Sequence, residues 1–183
     1  MLDSGPDLLA DAQSGSELAF AQLVHAHEGS VYSLALRALR NASEAEELAQ
    51  DVFLQLYRDL HRIETMDHLR YWLRRTASHR VIDHLRQRER RPTSHGLLEE
   101  ACDAPGDGVS VPPEHDPLLA RRLERLLSQL PGAPRLVLIL RYQEDLDPVE
   151  IARVLDISVN TVKSHLKRSI ARLRAELDEE DSP

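Results

Sequence analysis

The chain has 183 residues, room for one or two small domains, and its 4% aromatic and 30% charged residues suit helical bundles better than a sheet protein. One cysteine, Cys102, excludes an internal disulfide and any multi-cysteine zinc site, and no apolar run nears the ~18 residues of a membrane helix. A formal charge of -8 taken whole argues against nucleic-acid binding, but residues 62–91 carry nine Arg against four acids, residues 158–174 five Lys or Arg against none, and residues 92–117 six acids and no base.

Residues 1–13 are polar or small, with Gly5 and Pro6 and no lasting periodicity, and read as a mobile lead-in. Ser14 and Glu17 have capping-box spacing. A helical pattern follows through Leu18, Leu23, Val24, Val31, Leu34, Ala35, Ala38 and Leu39, with Gly29 a point of bending or interruption. Asn41-Ala42-Ser43 breaks it, and Ser43 with Glu46 offers another capping box. The next helix buries Leu48, Ala49, Val52, Phe53, Leu56 and Leu60 and turns Glu44, Glu47, Gln50, Asp51, Gln55 and Arg58 outward. That polar side is either a solvated face or a docking surface for a basic partner.

Asp67 is the expected cap of a third helix, to about Arg88, anchored by Leu69, Leu73, Ala77 and Leu85. It bears Tyr71 and Trp72 among Arg74, Arg75, Arg80, Arg86 and Arg88. Trp72 reads either as packing or as an aromatic that contacts unstacked bases, and the interleaved arginines favour nucleic acid. Residues 92–117 hold five prolines and three glycines without helical period, as a flexible acidic linker would, and Cys102 within them is an incidental thiol.

Leu118, Leu119, Leu123, Leu126, Leu127 and Leu130 form a further helical stripe, closed by Pro131-Gly132-Ala133-Pro134. Leu136 to Leu140 is too apolar to be exposed and is expected at the centre of a second bundle. Asp147-Pro148-Val149-Glu150 carries a cap, a proline at the first helical position and a capping-box glutamate. Ser158 caps the next helix after a three-residue turn. In that helix Val162, Leu166, Ile170, Leu173 and Leu177 share one arc, while Asn160, Lys163, Ser164, Lys167 and Arg174 lie opposite with Arg168 at the edge. Caps, turn and charge segregation together describe a helix-turn-helix, whose second helix enters the major groove. The acidic stretch from Glu176 to Pro183 reads as a frayed tail. The fold class is therefore all-α: two small helical bundles joined by a flexible acidic linker, the second ending in a helix-turn-helix.

Enzyme chemistry finds no footing. There is no phosphate-binding glycine loop, no paired-histidine metal motif and no nucleophile elbow. His25 and His27, and His79 and His84, are spaced so that neither pair shares a helix face well. No catalytic residue, metal or cofactor is expected.

These segments together resemble the extracytoplasmic-function (ECF) group of bacterial sigma factors, across nearly all of residues 16–177. The run Glu44-Ala45-Glu46-Glu47-Leu48-Ala49-Gln50-Asp51-Val52-Phe53-Leu54 is similar to the family's polymerase-docking helix. The run His68-Leu69-Arg70-Tyr71-Trp72-Leu73-Arg74-Arg75-Thr76-Ala77, with Asp83-His84-Leu85-Arg86, is similar to the segment that melts and reads the minus-ten promoter element. Leu130 through Tyr142 and Asp147 through Leu177 are similar to the domain that reads the minus-thirty-five element.

The resemblance implies a region-2-like domain over residues 14–91, a linker over 92–117, a region-4-like domain over 118–177 and an acidic tail over 178–183. It makes Glu44, Glu47, Gln50, Asp51 and Leu54 candidates for polymerase binding. Trp72, Arg74, Arg75, His79, Arg80, Asp83 and Arg86 become candidates for minus-ten DNA, with Asp83 orienting a neighbouring arginine. Ser158, Asn160, Thr161, Lys163, Ser164, Lys167 and Arg168 become candidates for minus-thirty-five DNA. The implied partners are core RNA polymerase and promoter DNA, with an anti-sigma factor a third that the family admits. The implied location is the cytoplasm, with membrane attachment only through such a factor and no direct insertion. Three positions depart from the pattern: Asp156 stands at the turn where glycine is usual, His79 where asparagine is common, and no further domain follows Leu177. The rival reading is a stand-alone helix-turn-helix regulator that binds duplex DNA as a dimer.

Overall fold

The computed structural model describes residues 6–90, 122, 125–127 and 129–180. Its regular elements are α1 (Pro6–Gln13), α2 (Glu17–Leu39), α3 (Ala42–Asp59), a 3-10 turn (Leu60–Arg62), α4 (Met66–Arg90), α5 (Gly132–Tyr142), α6 (Pro148–Leu155) and α7 (Val159–Glu180). Every regular element among the described residues is helical, as expected. The chain divides into two compact units, the first ending at Gln87 and the second starting at Arg88. The proposed linker over 92–117, Cys102, and Leu118, Leu119 and Leu123 of the leucine stripe lie outside the described residues.

The first unit is built on apolar stripes at helical spacing. Leu23, Val31, Leu34, Ala35 and Ala38 on α2 meet Leu48, Val52 and Leu56 on α3, all buried. Leu69, Leu73, Ala77 and Val81 bury one side of α4. Each fully buried leucine here contributes about 1.5–3 kcal/mol of transfer free energy. Gly29 does not interrupt α2, which runs through it as one helix.

The N-terminus corrects the sequence reading. Residues 1–5 lie outside the described residues, but Pro6–Gln13 is a helix, with Leu9 and Ala12 buried. Gln13 Nε2 donates to the carbonyls of Leu60 (2.9 Å) and Ile63 (2.7 Å), fastening α1 to the turn before α4. Eight residues show too little periodicity to announce a helix, and this one is held by tertiary contacts rather than by its own propensity.

Three caps also differ from expectation. Ser16, not Ser14, accepts from the first turn of α2, through Ala19 N–H. Ser14 Oγ instead donates to the Asp11 carbonyl at 2.7 Å. Asn41, not Ser43, caps α3 by accepting from Glu44 N–H at 3.0 Å. At the start of α4, Thr65 Oγ1 accepts from His68 N–H at 3.0 Å, and Asp67 instead takes a hydrogen bond from Arg70 at 2.8 Å. In each case an equally competent short polar side chain stands two residues away, later for Ser16 and earlier for Asn41 and Thr65.

In the second unit Leu136, Val137, Leu138, Ile139 and Leu140 are all buried, so α5 is the central helix as expected. Leu126 and Leu130 of the leucine stripe are buried ahead of it. The C-terminal side differs again: α7 continues to Glu180 rather than fraying from Glu176, and Arg122 Nη2 donates to the Leu177 carbonyl at 2.6 Å. Residues 181–183 lie outside the described residues.

Candidate nucleic-acid interface

The helix-turn-helix forms as its spacing predicts. Asp147 accepts from Val149 N–H (2.7 Å) and Glu150 N–H (2.8 Å), and Glu150 Oε2 accepts from Asp147 N–H (2.7 Å), closing the capping box. Pro148 supplies the first helical residue, where an amide would have no partner. Asp156 holds the left-handed conformation (φ 56°, ψ 46°) that ends α6, with its N–H on the Ala152 carbonyl. Aspartate tolerates this region better than most residues, so the turn survives without glycine.

Ser158 Oγ then accepts from Thr161 N–H (3.0 Å) and lies 2.8 Å from Thr161 Oγ1. Two of the candidate base-reading hydroxyls are thus engaged in building the start of α7. Asn160, Lys163, Lys167 and Arg168 are exposed, and Ser164 is half-buried. Asn160, Lys163, Ser164 and Lys167 follow i, i+3, i+4, i+7 and share one face, opposite the buried Val162. Burial, then the Arg168 charge, hold His165 below the usual imidazole value.

In the first unit the seven minus-ten candidates do not form one surface. Trp72, Arg75, His79, Asp83 and Arg86 stand at i, i+3, i+7, i+11 and i+14, a single stripe turned away from Leu69, Leu73, Ala77 and Val81. Trp72 is half-buried, a packing role that leaves part of the indole exposed. Arg86 Nη1 lies 3.7 Å from Asp83 Oδ1 in an exposed pair.

Arg80 and Arg74 leave this stripe on opposite edges. Arg80 points to α3, donating to Gln55 Oε1 (2.9 Å) and Asp51 Oδ2 (3.2 Å). One turn further, His84 Nε2 lies 3.1 Å from Glu44 Oε2, an ion pair whenever the imidazole is protonated. Arg74 lines the other edge, against α2.

The docking candidates split as well. Glu44 and Asp51 face α4 through these pairs. Glu47, Gln50 and Leu54 lie on the outer side of α3, where Leu54 is 57% exposed. Tyr57, one turn beyond Leu54, is 64% exposed and packs edge-on against Phe20 at 5.1 Å. Sequence reasoning missed Tyr57. The signal was its i+3 spacing from Leu54, on the side away from the buried stripe. No helix among the described residues is long and apolar enough to cross a membrane.

Comparison with known proteins agrees with this geometry unit by unit. Residues 23–91 match the model "Sigma-70 region 2", and residues 120–173 match "Sigma-70, region 4". The chain is 29% identical over 181 residues to the ECF RNA polymerase sigma factor SigW of Bacillus subtilis, covering 92% of this chain and 94% of that one. It is 27% identical over 184 residues to the ECF RNA polymerase sigma factor SigK of Mycobacterium tuberculosis, covering 97% and 96%. Among solved structures, CnrH in complex with the cytosolic domain of CnrY superposes with a TM-score of 0.64 at 26% identity, covering 98% of this chain and all of that one. Two units carrying basic helices, matched in order to regions 2 and 4 and along nearly the whole length of SigW, place this chain in the sigma-70 family of RNA polymerase sigma factors, in its ECF group.

Proposed function

We infer that the protein is a sigma factor: it binds core RNA polymerase and directs initiation at promoters bearing minus-ten and minus-thirty-five elements. It is a binding protein and not an enzyme. The observation that carries this reading is the pairing of two distinct basic helix faces, on α4 and α7, in two separate units of one acidic chain. A regulator working through duplex DNA alone would need only the second.

Each surface then has a task. The outer side of α3, with Glu47, Gln50, Leu54 and the newly seen Tyr57, is the polymerase-docking surface. Its mixture of exposed apolar and acidic groups suits a basic, partly apolar partner surface. The stripe Trp72, Arg75, His79 and Arg86 takes the unpaired minus-ten strand, by phosphate pairing and by stacking on the indole. Asp51 and Arg80 hold α3 against α4, with Gln55 between them, and act through position. On α7, Asn160, Lys163, Ser164, Lys167 and Arg168 face the major groove of the minus-thirty-five element, where lysine can donate to guanine edges and asparagine can pair with adenine. Ser158 and Thr161 set where that helix begins.

Binding work suffices for the mechanism. Docking fixes both units beside the promoter, so weak contacts become effectively intramolecular. Capture of unpaired bases shifts the duplex toward its open form, because a ligand favours the state that it binds. We place this work in the cytoplasm, where polymerase is. An anti-sigma factor is the third partner we propose, since the similar CnrH was solved with the cytosolic domain of CnrY. Transcription with purified core polymerase tests the whole reading. Adding this protein creates new, discrete start sites; unchanged start sites would overturn it.

A further inference from the structure

One side chain fastens the turn between the docking helix α3 and the promoter helix α4. Gln13, the last residue of α1, donates from Nε2 to the carbonyl of Leu60 at 2.9 Å and to that of Ile63 at 2.7 Å. An amide nitrogen carries two hydrogens, so this one group serves both acceptors, and the amide oxygen could serve neither. Leu60 directly follows α3, and Ile63 lies between the 3-10 turn and α4. Both side chains are buried, so the turn is anchored inward by apolar packing and held at its backbone by Gln13. We propose that Gln13 is a positioning residue for promoter opening: through Leu60 and Ile63 it fixes where α4 starts relative to α3, and so holds the exposed stripe of α4 in register with the polymerase-docking surface. The proposal rests on the sigma-factor reading and gives the N-terminal helix a task within it.

Both ends of this clamp are firmly held. On the α1 side, the N–H groups of Ser14 and Ser16 return to the Ala10 and Asp11 carbonyls, and Gly15 takes a left-handed φ of 98° that leads into the Ser16 cap of α2. Glycine adopts that conformation without strain. Leu9 and Ala12 are buried, so α1 cannot swing away without exposing them. On the α4 side, Glu64 N–H donates to His68 Nδ1 at 3.3 Å, and Thr65 Oγ1 accepts from His68 N–H at 3.0 Å. The end of the turn and the first turn of α4 therefore move together. Further along, Arg80 and His84 pin α4 to α3, so release of the turn acts on the first part of α4, where Trp72 and Arg75 stand. The docking helix needs no such help, because Leu48, Val52 and Leu56 bury it against α2. Removing the clamp thus leaves the docking surface in place and takes from α4 its fixed origin. Only the fraction of molecules with α4 in place then captures the unpaired strand, and apparent capture weakens by that fraction.

The test compares three variants of the full chain. Gln13→Glu keeps the shape but has no hydrogen to donate at neutral pH, Gln13→Ala removes the donor without adding charge, and Gln13→Lys restores a donor able to serve both carbonyls. Each is assembled with core polymerase. Affinity for core is measured by fluorescence anisotropy, and promoter opening by permanganate reactivity at saturating polymerase. Gln13→Glu and Gln13→Ala should each lower opening roughly fivefold or more, the scale of one net hydrogen bond. Their affinity for core should stay within about twofold, as for a surface substitution away from the docking face, and Gln13→Lys should open within about twofold of the unaltered protein. Binding to core reports that the first unit has folded. Equal losses of opening and of core affinity would make Gln13 a merely structural residue and overturn the proposal. So would normal opening by Gln13→Glu and Gln13→Ala, a loss confined to Gln13→Glu, or a Gln13→Lys variant as impaired as Gln13→Glu. Each of these results leaves the sigma-factor reading standing. Failure of the unaltered holoenzyme to open promoter DNA at all would instead overturn the underlying function.

Discussion

Arg80 shows why residue type and spacing do not settle a residue's task. Among the arginines of α4 it reads from sequence as a DNA contact, yet its guanidinium is taken up by Asp51 and Gln55 of the neighbouring helix. Both charged groups are about half exposed, so the pair itself is weak, on the order of 0.2–1 kcal/mol in a double-mutant cycle. Leu54→Asp should therefore lower polymerase affinity at least tenfold while Asp51→Ala lowers it much less; equal losses, measured by fluorescence anisotropy with core polymerase, would return Asp51 to the contact surface. On α7, replacing both Lys163 and Lys167 by alanine should weaken minus-thirty-five-dependent initiation about tenfold or more without changing the melting temperature. With two cations gone from the DNA-facing side, the salt dependence of promoter binding should also fall. An unchanged salt slope would move the recognition face elsewhere. His27 gives a pH signature. Its imidazole value is lowered on folding by burial and by Arg70 and Arg74, so the unfolded chain binds the extra proton more readily. The contribution is intact above about pH 6.5 and is lost as the pH falls through the lowered value. Thermal unfolding of His27→Leu should accordingly show a flatter decline below that pH than the unaltered chain, and parallel curves would contradict the assignment.

Helix ends and short helices mark the limit of what the sequence revealed at the scale of elements. The interiors of α2, α3 and α7 were legible because apolar residues recur at helical spacing over many turns, and α5 because Leu136 to Leu140 is an unbroken apolar run. The cap of α6 was legible because Asp147, Pro148 and Glu150 agree on one start. Ser14, Ser43 and Asp67 failed as caps because Ser16, Asn41 and Thr65 offer the same chemistry two residues away, and only packing decides between them. Helix α1 was hidden for a different reason: Leu9 and Ala12 become a core only once α2 and the turn before α4 are in place. Its stability is thus tertiary, and Leu9→Ala should destabilise the first unit by about 2–3 kcal/mol, measured by urea unfolding. A change within 0.5 kcal/mol would restore the view of a loose N-terminus. The turn of the helix-turn-helix carries a smaller strain. Asp156→Gly relieves a left-handed aspartate and should stabilise the second unit by about 0.5–1 kcal/mol.

For the molecule as a whole, the net charge of -8 conceals its function, and the distribution of charge exposes it. Two basic segments, one largely on α4 and one on α7, alternate with acidic ones. That pattern came from simple counting along the chain, as did the all-helical class and the order of the two units. Which arginines share a face did not, because Arg74, Arg75 and Arg80 are near neighbours in sequence yet turn to α2, to the open stripe and to α3. The hold of Gln13 on Leu60 and Ile63 was equally invisible, since its partners lie 47 and 50 positions away. A chain built this way selects promoters only when polymerase holds both units in reach of one DNA. Footprinting with permanganate probing of unpaired thymines, on one promoter with the protein alone, with core polymerase alone and with both, tests this most directly. Protection at the minus-thirty-five element and reactive thymines at the minus-ten element are predicted only when both are present. Protection by the free protein, or reactivity with core polymerase that its addition leaves unchanged, would contradict the account.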